Sequence, residues 1–546
     1  MRKAYLATLL SLAACTPPPP QCVRGQSAAC TCPGGGMGAQ VCNASGGYDP
    51  CVCSASDVTV SDAVDTGALD ANTDSSVDAS AVDVVEGPVE DIDLLLVVDN
   101  SNSMRDNQAN FMREIEPLLL RLTNPPCTSA TNPTPHTCDA NNSSDRRVAR
   151  PVRSLNVGVV STDLGAPTGP VALGCANIEL GDDGNMNPIR FGGALASHLP
   201  WTVSPAPPAG FRPASCDESI EGGLSTQNLY PNFITYNTSA DDTAGFAEDF
   251  SCNAGIYVKG CPVESQLEAV WRALIWHGAG NIVLGPPSNA GFVRPNAVLA
   301  IVMLTDEEDG SVRNCAYDIG NPTCNDARSV YQNATAGRWP AVNADLRMYH
   351  YMPCSNADPT WNLDRYIDPD DASKGIMALK PGHPERIIFA AITGVPIDVP
   401  GSAGPSGRYI VDWDRLLGPP GPNGADDFCG RLSQDSSLDL DTPEGHTSMK
   451  QFNVDPDCLS VRVVPSCRRE GSTPPEPGST DFCFTTGQYF ALPSRRIVEV
   501  ARRFDRAPLC NGSPCENGLV SSICKNDYSE SIGGIAGAIS RRLSPP

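Results

Sequence analysis

The residues best suited to chemistry are Asp99, Ser101 and Ser103, in the run Asp99-Asn100-Ser101-Asn102-Ser103. One carboxylate and two hydroxyls at two-residue intervals on a tight turn aim hard oxygen donors at one point. That donor type suits a divalent cation such as Mg²⁺, held at about 2.0 to 2.1 Å. The run follows an apolar segment and precedes a helical one. In an open α/β sheet that position is the carboxyl edge, where ligand sites form. A helix N-terminus repels a bare cation, so the Asp99 charge and a second acidic loop must compensate. Asp306, at the end of another apolar segment, begins such a loop, with Glu307, Glu308 and Asp309 behind it. The alternatives without a metal are a turn in which Ser101 and Ser103 cap the helix and, for residues 307–309, a solvated acidic turn.

Other chemistry finds little support. The six histidines, His136, His198, His277, His350, His383 and His446, are scattered, and no His-Glu-x-x-His pair, Gly-x-Ser-x-Gly elbow or phosphate-cradling loop occurs. Asp183-x-Asn185-x-Asn187 begins like a calcium loop, but Pro188 stands in place of the turn glycine and Ala194 in place of the closing glutamate. These absences argue against an enzyme.

The elements that must position Asp99 and Asp306 are legible from hydrophobic pattern. Ile92 and Leu94 to Val98 read as a strand buried on both faces. Phe111, Ile115, Leu118, Leu119 and Leu122 follow at helical spacing, with Pro117 as an expected kink. The alternation recurs in strands at 155–162, 298–305, 387–393 and 519–523. Helices are expected through Leu267 to Leu274, from Pro493 through Phe504, and through Ile532, Ile535 and Ile539. Strands alternating with helices predict an α/β fold with a doubly wound, mostly parallel sheet. The Pro-, Gly-, Asn- and Cys-rich stretches 123–150, 163–260 and 395–490 read as disulfide-stapled insertions without cores of their own.

A strand followed by Asp-x-Ser-x-Ser, with a later strand ending in Thr305-Asp306, resembles the metal-ion-dependent adhesion site of von Willebrand factor type A (vWA) domains. In that family the aspartate and two serines of a first loop, a threonine of a second and an aspartate of a third surround the metal, leaving one position for a ligand carboxylate. Asp99, Ser101 and Ser103 match the first loop, and Asp306 the third. The resemblance covers 91–122, 155–162, 260–310 and 386–394. Two positions depart from the pattern: Asn102 stands where a glycine is common, and no second-loop threonine is evident. By position Glu264 or Ser265 takes its place, while Thr162 ends a different strand. A Glu there would add negative charge, strengthening metal binding while blocking the open position.

The N-terminus sets the compartment. Arg2 and Lys3 precede an apolar run from Ala4 to Ala14, too short to span a bilayer but of signal-peptide length. Leu12-Ala13-Ala14-Cys15 resembles a bacterial lipobox, which implies cleavage before Cys15 and its lipidation. Removing Cys15 from the 23 cysteines leaves an even number, able to pair completely in an oxidising compartment. The net charge of −25 opposes binding to nucleic acid. The expected organisation is a lipoprotein signal (1–14), a lipid anchor with Pro spacer (15–21), a Cys-rich disulfide module (22–53), an acidic disordered linker (54–90) and a vWA-like domain with insertions (91–546). In the module, zinc bound by Cys30 and Cys32 with Cys51 and Cys53 is the competing reading to disulfides.

The resemblance implies a lipid-anchored protein of the cell envelope, at the outer membrane or cell surface. It would bind a protein or glycan partner through or beside Mg²⁺, Mn²⁺ or Ca²⁺ at Asp99, Ser101, Ser103, Glu264 and Asp306. A metal-dependent hydrolase, or a structural body with a vestigial metal site, are the alternatives.

Overall fold

A segment with no polar side chain from Leu94 to Val98 cannot face water on either side. In the computed structural model of the protein it forms the centre of a six-stranded sheet. The structure describes residues 27–31, 37–41, 89–139, 141–165, 181–186, 232–238, 241, 243–256, 260, 264–280, 284, 287–311, 360–368, 375–399, 409–417, 467–468, 490–491, 494–505 and 516–543. The expectations for residues 1–26 and 54–88, and for Asn187, Pro188 and Ala194, lie outside these. Within 22–53 only an antiparallel hairpin, Ser27–Thr31 with Met37–Val41, is described.

The sheet comprises β1 (Asp91–Val98), β2 (Ser154–Ser161), β3 (Phe233–Asn237), β4 (Ala297–Leu304), β5 (Ile387–Thr393) and β6 (Gly518–Ser522). Their order across the sheet is β6-β5-β4-β1-β2-β3. Every pair is parallel except β2 with β3, which is antiparallel. The chain therefore builds outward from β1 in one direction, returns, and builds outward from β4 in the other. Between β1 and β4 lies the switch point at which open α/β sheets form ligand crevices.

Two groups of helices cover the sheet. One contains α1 (Arg105–Met112), α2 (Ile115–Thr123), α3 (Thr243–Ala254) and α8 (Ser529–Ser540), with α2 touching both α3 and α8. The other contains α4 (Gln266–Trp271), α5 (Asp364–Ile367), α6 (Trp413–Leu417) and α7 (Arg495–Asp505), in which α5 bridges α4 and α7. The 4-residue-spaced stripe Ile497, Val500, Ala501 and Phe504 of α7 is buried against β5 and β6, and Phe504 stacks on Phe389 at 5.4 Å.

The strands and helices expected from pattern are present, with one correction. The stretch 163–260 is not wholly a coreless insertion: it contributes β3, the antiparallel edge, and α3, whose Phe246 and Phe250 are buried. The kink expected at Pro117 is present as a break between α1 and α2 at Arg113 and Glu114: residue 113 is four before Pro117, whose ring crowds that carbonyl and whose missing N–H cannot bond it, and Pro117 falls in the first turn of α2.

At the amino-terminal end of the switch point, buried Asp93 accepts hydrogen bonds from the main-chain N–H and the Nε of Arg294, both at 2.7 Å, with Lys380 Nζ 3.8 Å away. Burial lowers the Lys380 ammonium to about 8, against the charge of Asp93, which raises it. A disulfide joins Cys127 to Cys138, and Cys524 is also disulfide-bonded. Among the described residues no helix is long and apolar enough to cross a membrane.

Candidate metal centre

Strand register delivers the site. Val98 of β1 is level with Ser161 of β2 and with Leu304 of β4. The next residues, Asp99, Thr162 and Thr305, therefore leave the sheet side by side. Main-chain bonds hold them there: Asp99 N–H donates to Leu304 O at 2.9 Å, Thr162 N–H to Val98 O at 3.2 Å and Thr305 N–H to Ile392 O at 3.1 Å.

Asp99 is fully buried and acts as an acceptor at both oxygens. Ser101 N–H donates to Oδ1 at 2.8 Å, and the Thr305 hydroxyl to Oδ2 at 2.7 Å. Gln266 Nε2 donates to that same Thr305 hydroxyl at 3.0 Å, which leaves its proton for Asp99. From the other side Gln108 of α1 donates to the Asp99 carbonyl at 2.8 Å. The two serines form a relay: Ser101 and Ser103 hydroxyls are 2.8 Å apart, and Ser103 Oγ donates to Asp306 Oδ1 at 3.0 Å. Ser101 occupies the position before the turn Asn102–Met104 but makes no side-chain capping bond. The hydroxyls thus face the acidic loop after β4, and the capping alternative does not describe them. Asn102 lies in a right-handed 3-10 turn, so the glycine it replaces is not required there for left-handed backbone.

Glu264 completes the cluster from the loop ahead of α4. It is 1% exposed; one oxygen accepts the Thr162 hydroxyl, and the other, Oε1, has no hydrogen-bond partner. Its main chain is stapled on both sides, with Ser265 N–H to Thr162 O at 2.9 Å and Gly310 N–H to Glu264 O at 2.8 Å. Burial, then the charges of Asp99 and Asp163, push the Glu264 carboxyl well above its ordinary range, with Asp306 adding to them and Thr162 opposing. Burial likewise raises Asp99, against its bonds from Thr305 and Ser101. A buried carboxylate oxygen without a hydrogen-bond partner is costly.

Around the cluster stands a second acidic layer. Ser161 Oγ donates to Asp182 Oδ2 at 2.5 Å, and burial pushes Asp182 up to about 7. Asp163, also buried, accepts Gly165 N–H at 2.8 Å. On the β4 side the acidic loop is a brace and not a solvated turn. Glu308 accepts the Arg495 and Arg496 amides at 2.8 and 3.0 Å, ending the first turn of α7, and burial pushes it up to about 7. Asp309 accepts Leu267 N–H at 3.0 Å at the start of α4 and Arg496 Nε at 3.0 Å.

The sequence-predicted Asp99, Ser101, Ser103 and Asp306 are thus brought together, and Glu264 joins them. Ser265 instead opens α4. Thr162, set aside for ending a different strand, enters as the donor to Glu264. Thr305, in the sequence only the residue before Asp306, donates to Asp99, and Gln266 supports it; Thr305 follows Leu304 at a strand end as Asp99 follows Val98. Among the described residues no three Asp, Glu, His or Cys side chains form a ready metal cage. The hard oxygens that the hydrogen bonds bring together are a mixed set, the Ser101 and Ser103 hydroxyls with the carboxylates of Asp99 and Asp306. Asp183 and Asn185, read from a rejected calcium motif, serve elsewhere: Asp183 pairs with Arg272 and His277, and Asn185 accepts the Ser288 hydroxyl at 2.6 Å. No family model, curated protein or solved structure matches this chain.

Proposed function

We propose that the chain is a lipid-anchored protein of the cell envelope, at the outer membrane or cell surface. Its vWA-like body binds a protein or glycan partner beside a divalent cation, Mg²⁺, Mn²⁺ or Ca²⁺. The observation that carries this reading is the Ser101–Ser103–Asp306 relay, tied through Ser101 to buried Asp99 at the switch point. Hard oxygen donors of both kinds, on loops fixed by strand register, fit such an ion. The mostly parallel sheet flanked by helices accords with the α/β body that the resemblance implies.

Among the described residues the hydrolase alternative finds no histidine paired with the cluster. Of the described histidines, His136 pairs with Asp145, His277 with Asp183 and Ser288, and His383 with Glu385. Binding without catalysis is the reading these placements favour.

Calorimetric titration of chelator-stripped protein tests it. Wild type should bind one of the three ions, and thermal melts should rise by the linkage term, about 2.7 kcal/mol at a hundredfold excess over Kd. Asp99→Ala should abolish binding, because Asp99 is the carboxylate whose position the core fixes. Neither heat nor a melting shift in wild type at millimolar ion would make the site vestigial.

A further inference from the structure

Two successive carbonyls fix the loop after β1. Gln108 of α1 donates to that of Asp99, and Gly260 N–H donates to that of Asn100, each at 2.8 Å. The main chain between Asp99 and Ser101 is thereby gripped twice, by α1 and by the chain ahead of α4. The Asn100 side chain is 1% exposed, and neither its nitrogen nor its oxygen has a hydrogen-bond partner. Shape holds it. The carboxamide lies against Gly260, where an added Cβ would fall on Asn100 Oδ1, with Cγ at 2.6 Å and Nδ2 at 3.0 Å. Carbon atoms pack at about 3.5 to 4.0 Å. Turning the amide about the Cβ–Cγ bond moves Oδ1 and Nδ2 but leaves Cγ in place, so any side chain at 260 must push Asn100 as a whole. The glycine here serves close approach of one chain segment to another.

We propose that Gly260 is a positioning residue for the cation site, acting through Asn100. Its amide holds the Asn100 carbonyl, and its bare Cα leaves the space that the Asn100 carboxamide fills. Together these set the main chain between Asp99 and Ser101, and with it the aim of the Asp99 carboxylate and the Ser101 hydroxyl. This rests on the metal reading given above, and goes beyond it by placing a determinant of affinity outside the oxygen donors, at the last residue of the stretch 163–260.

The test uses the full chain, stripped with chelator, with Mn²⁺ as the probe and a metal-free thermal melt for every variant. In metal-free wild type the Gly260 amide should exchange its hydrogen slowly, as a bonded amide does. Gly260→Ala should weaken Mn²⁺ by about tenfold or more, measured at a temperature where its melt shows it folded. Asn100→Ala keeps the carbonyl and removes the carboxamide, and should bind Mn²⁺ as wild type does. The double variant should recover wild-type affinity, because the added methyl then meets no carboxamide. A purely structural glycine would lower the melt of Gly260→Ala and leave the Mn²⁺ affinity of the folded protein alone. Undiminished affinity in folded Gly260→Ala, a double variant that binds no tighter than Gly260→Ala, or a freely exchanging Gly260 amide overturns the proposal. If Gly260→Ala does not fold, the double variant decides: folded with wild-type affinity it upholds the proposal, and unfolded or weak in Mn²⁺ it overturns it. Absence of Mn²⁺ binding to wild type defeats the metal reading itself, and this proposal with it.

Discussion

Arg496→Met is the perturbation whose cost the structure specifies most closely. Arg496 is 4% exposed, and its guanidinium spends all three nitrogens inside the protein: Nε on Asp309 Oδ2 at 3.0 Å, Nη1 on Thr360 Oγ1 at 3.0 Å and Nη2 on Trp361 O at 2.8 Å. Methionine preserves the apolar stem and the main-chain bond to Glu308. What is lost is the counter-ion of Asp309, which is fully buried and, among the described residues, retains the Leu267 amide and the Ser311 hydroxyl. Removing one partner of a buried pair costs about 3 to 5 kcal/mol, most of it from the charge left behind. With an unfolding entropy of about 2.1 cal/mol/K per residue over a body of about 450 residues, each kcal/mol is worth about 1 °C, so the melting temperature should fall by about 3 to 5 °C. The assay is a thermal melt in chelator, for wild type, Arg496→Met, Asp309→Asn and the double variant. Because the penalty resides on the Asp309 charge, the double variant should recover about 1 to 3 kcal/mol relative to additivity. A drop below about 2 °C in Arg496→Met, or strict additivity, would refute the claim that the acidic loop after β4 depends on this pair.

Three further outcomes are expected. Asp182 rises from an ordinary 3.8 to about 7 through burial, and Glu264 shifts the same way. Folding therefore favours their protonated forms, a contribution full below about pH 4 and lost as pH rises through about 7. The chelated protein should melt lower at pH 8 than at pH 5, with divalent cation flattening the difference; a profile rising with pH contradicts this. Non-reducing peptide mapping should recover Cys127 joined to Cys138, and Cys127→Ser should destabilise its segment by about 3 kcal/mol on the loop-entropy estimate; free labelling of either thiol speaks against it. Cys15→Ser should move the protein from membrane to soluble fractions, and unchanged partitioning would remove the lipid anchor from the proposal.

What could be read from the sequence was set by hydrophobic density. Leu94 to Val98 and Ala297 to Leu304 are apolar enough to be placed from pattern alone, and the turn chemistry at Asp99 and Asp306 follows directly from where they end. Phe233–Asn237 escaped because an edge strand needs only half a stripe of apolar residues, and Thr235 and Asn237 break even that. Thr162 escaped for a different reason. Its role depends on lateral register, the levelling of Ser161 with Val98, and linear spacing carries no information about which strands are neighbours. Glu308 and Asp309 look like a solvated turn until their partners, the amides of Arg495, Arg496 and Leu267, arrive from remote segments.

The placement of β1 has a mechanical consequence. The chain enters the sheet at Asp91, on its central strand, and that strand ends at the site residue Asp99. A pull applied between the preceding segment and a partner held at the carboxyl edge runs along the axis of β1. It loads the hydrogen bonds to β2 and β4 together, in shear, where a strand at the rim such as β3 would peel away one bond at a time. Forced unfolding is governed by the rate of the first rupture, and here that rupture requires both ladders to fail at once. The Asp93–Arg294 clamp at the entrance adds a buried ionic contact to the same line of force. A body strung in this way resists tension from exactly the direction in which a tether ahead of Asp91 would deliver it.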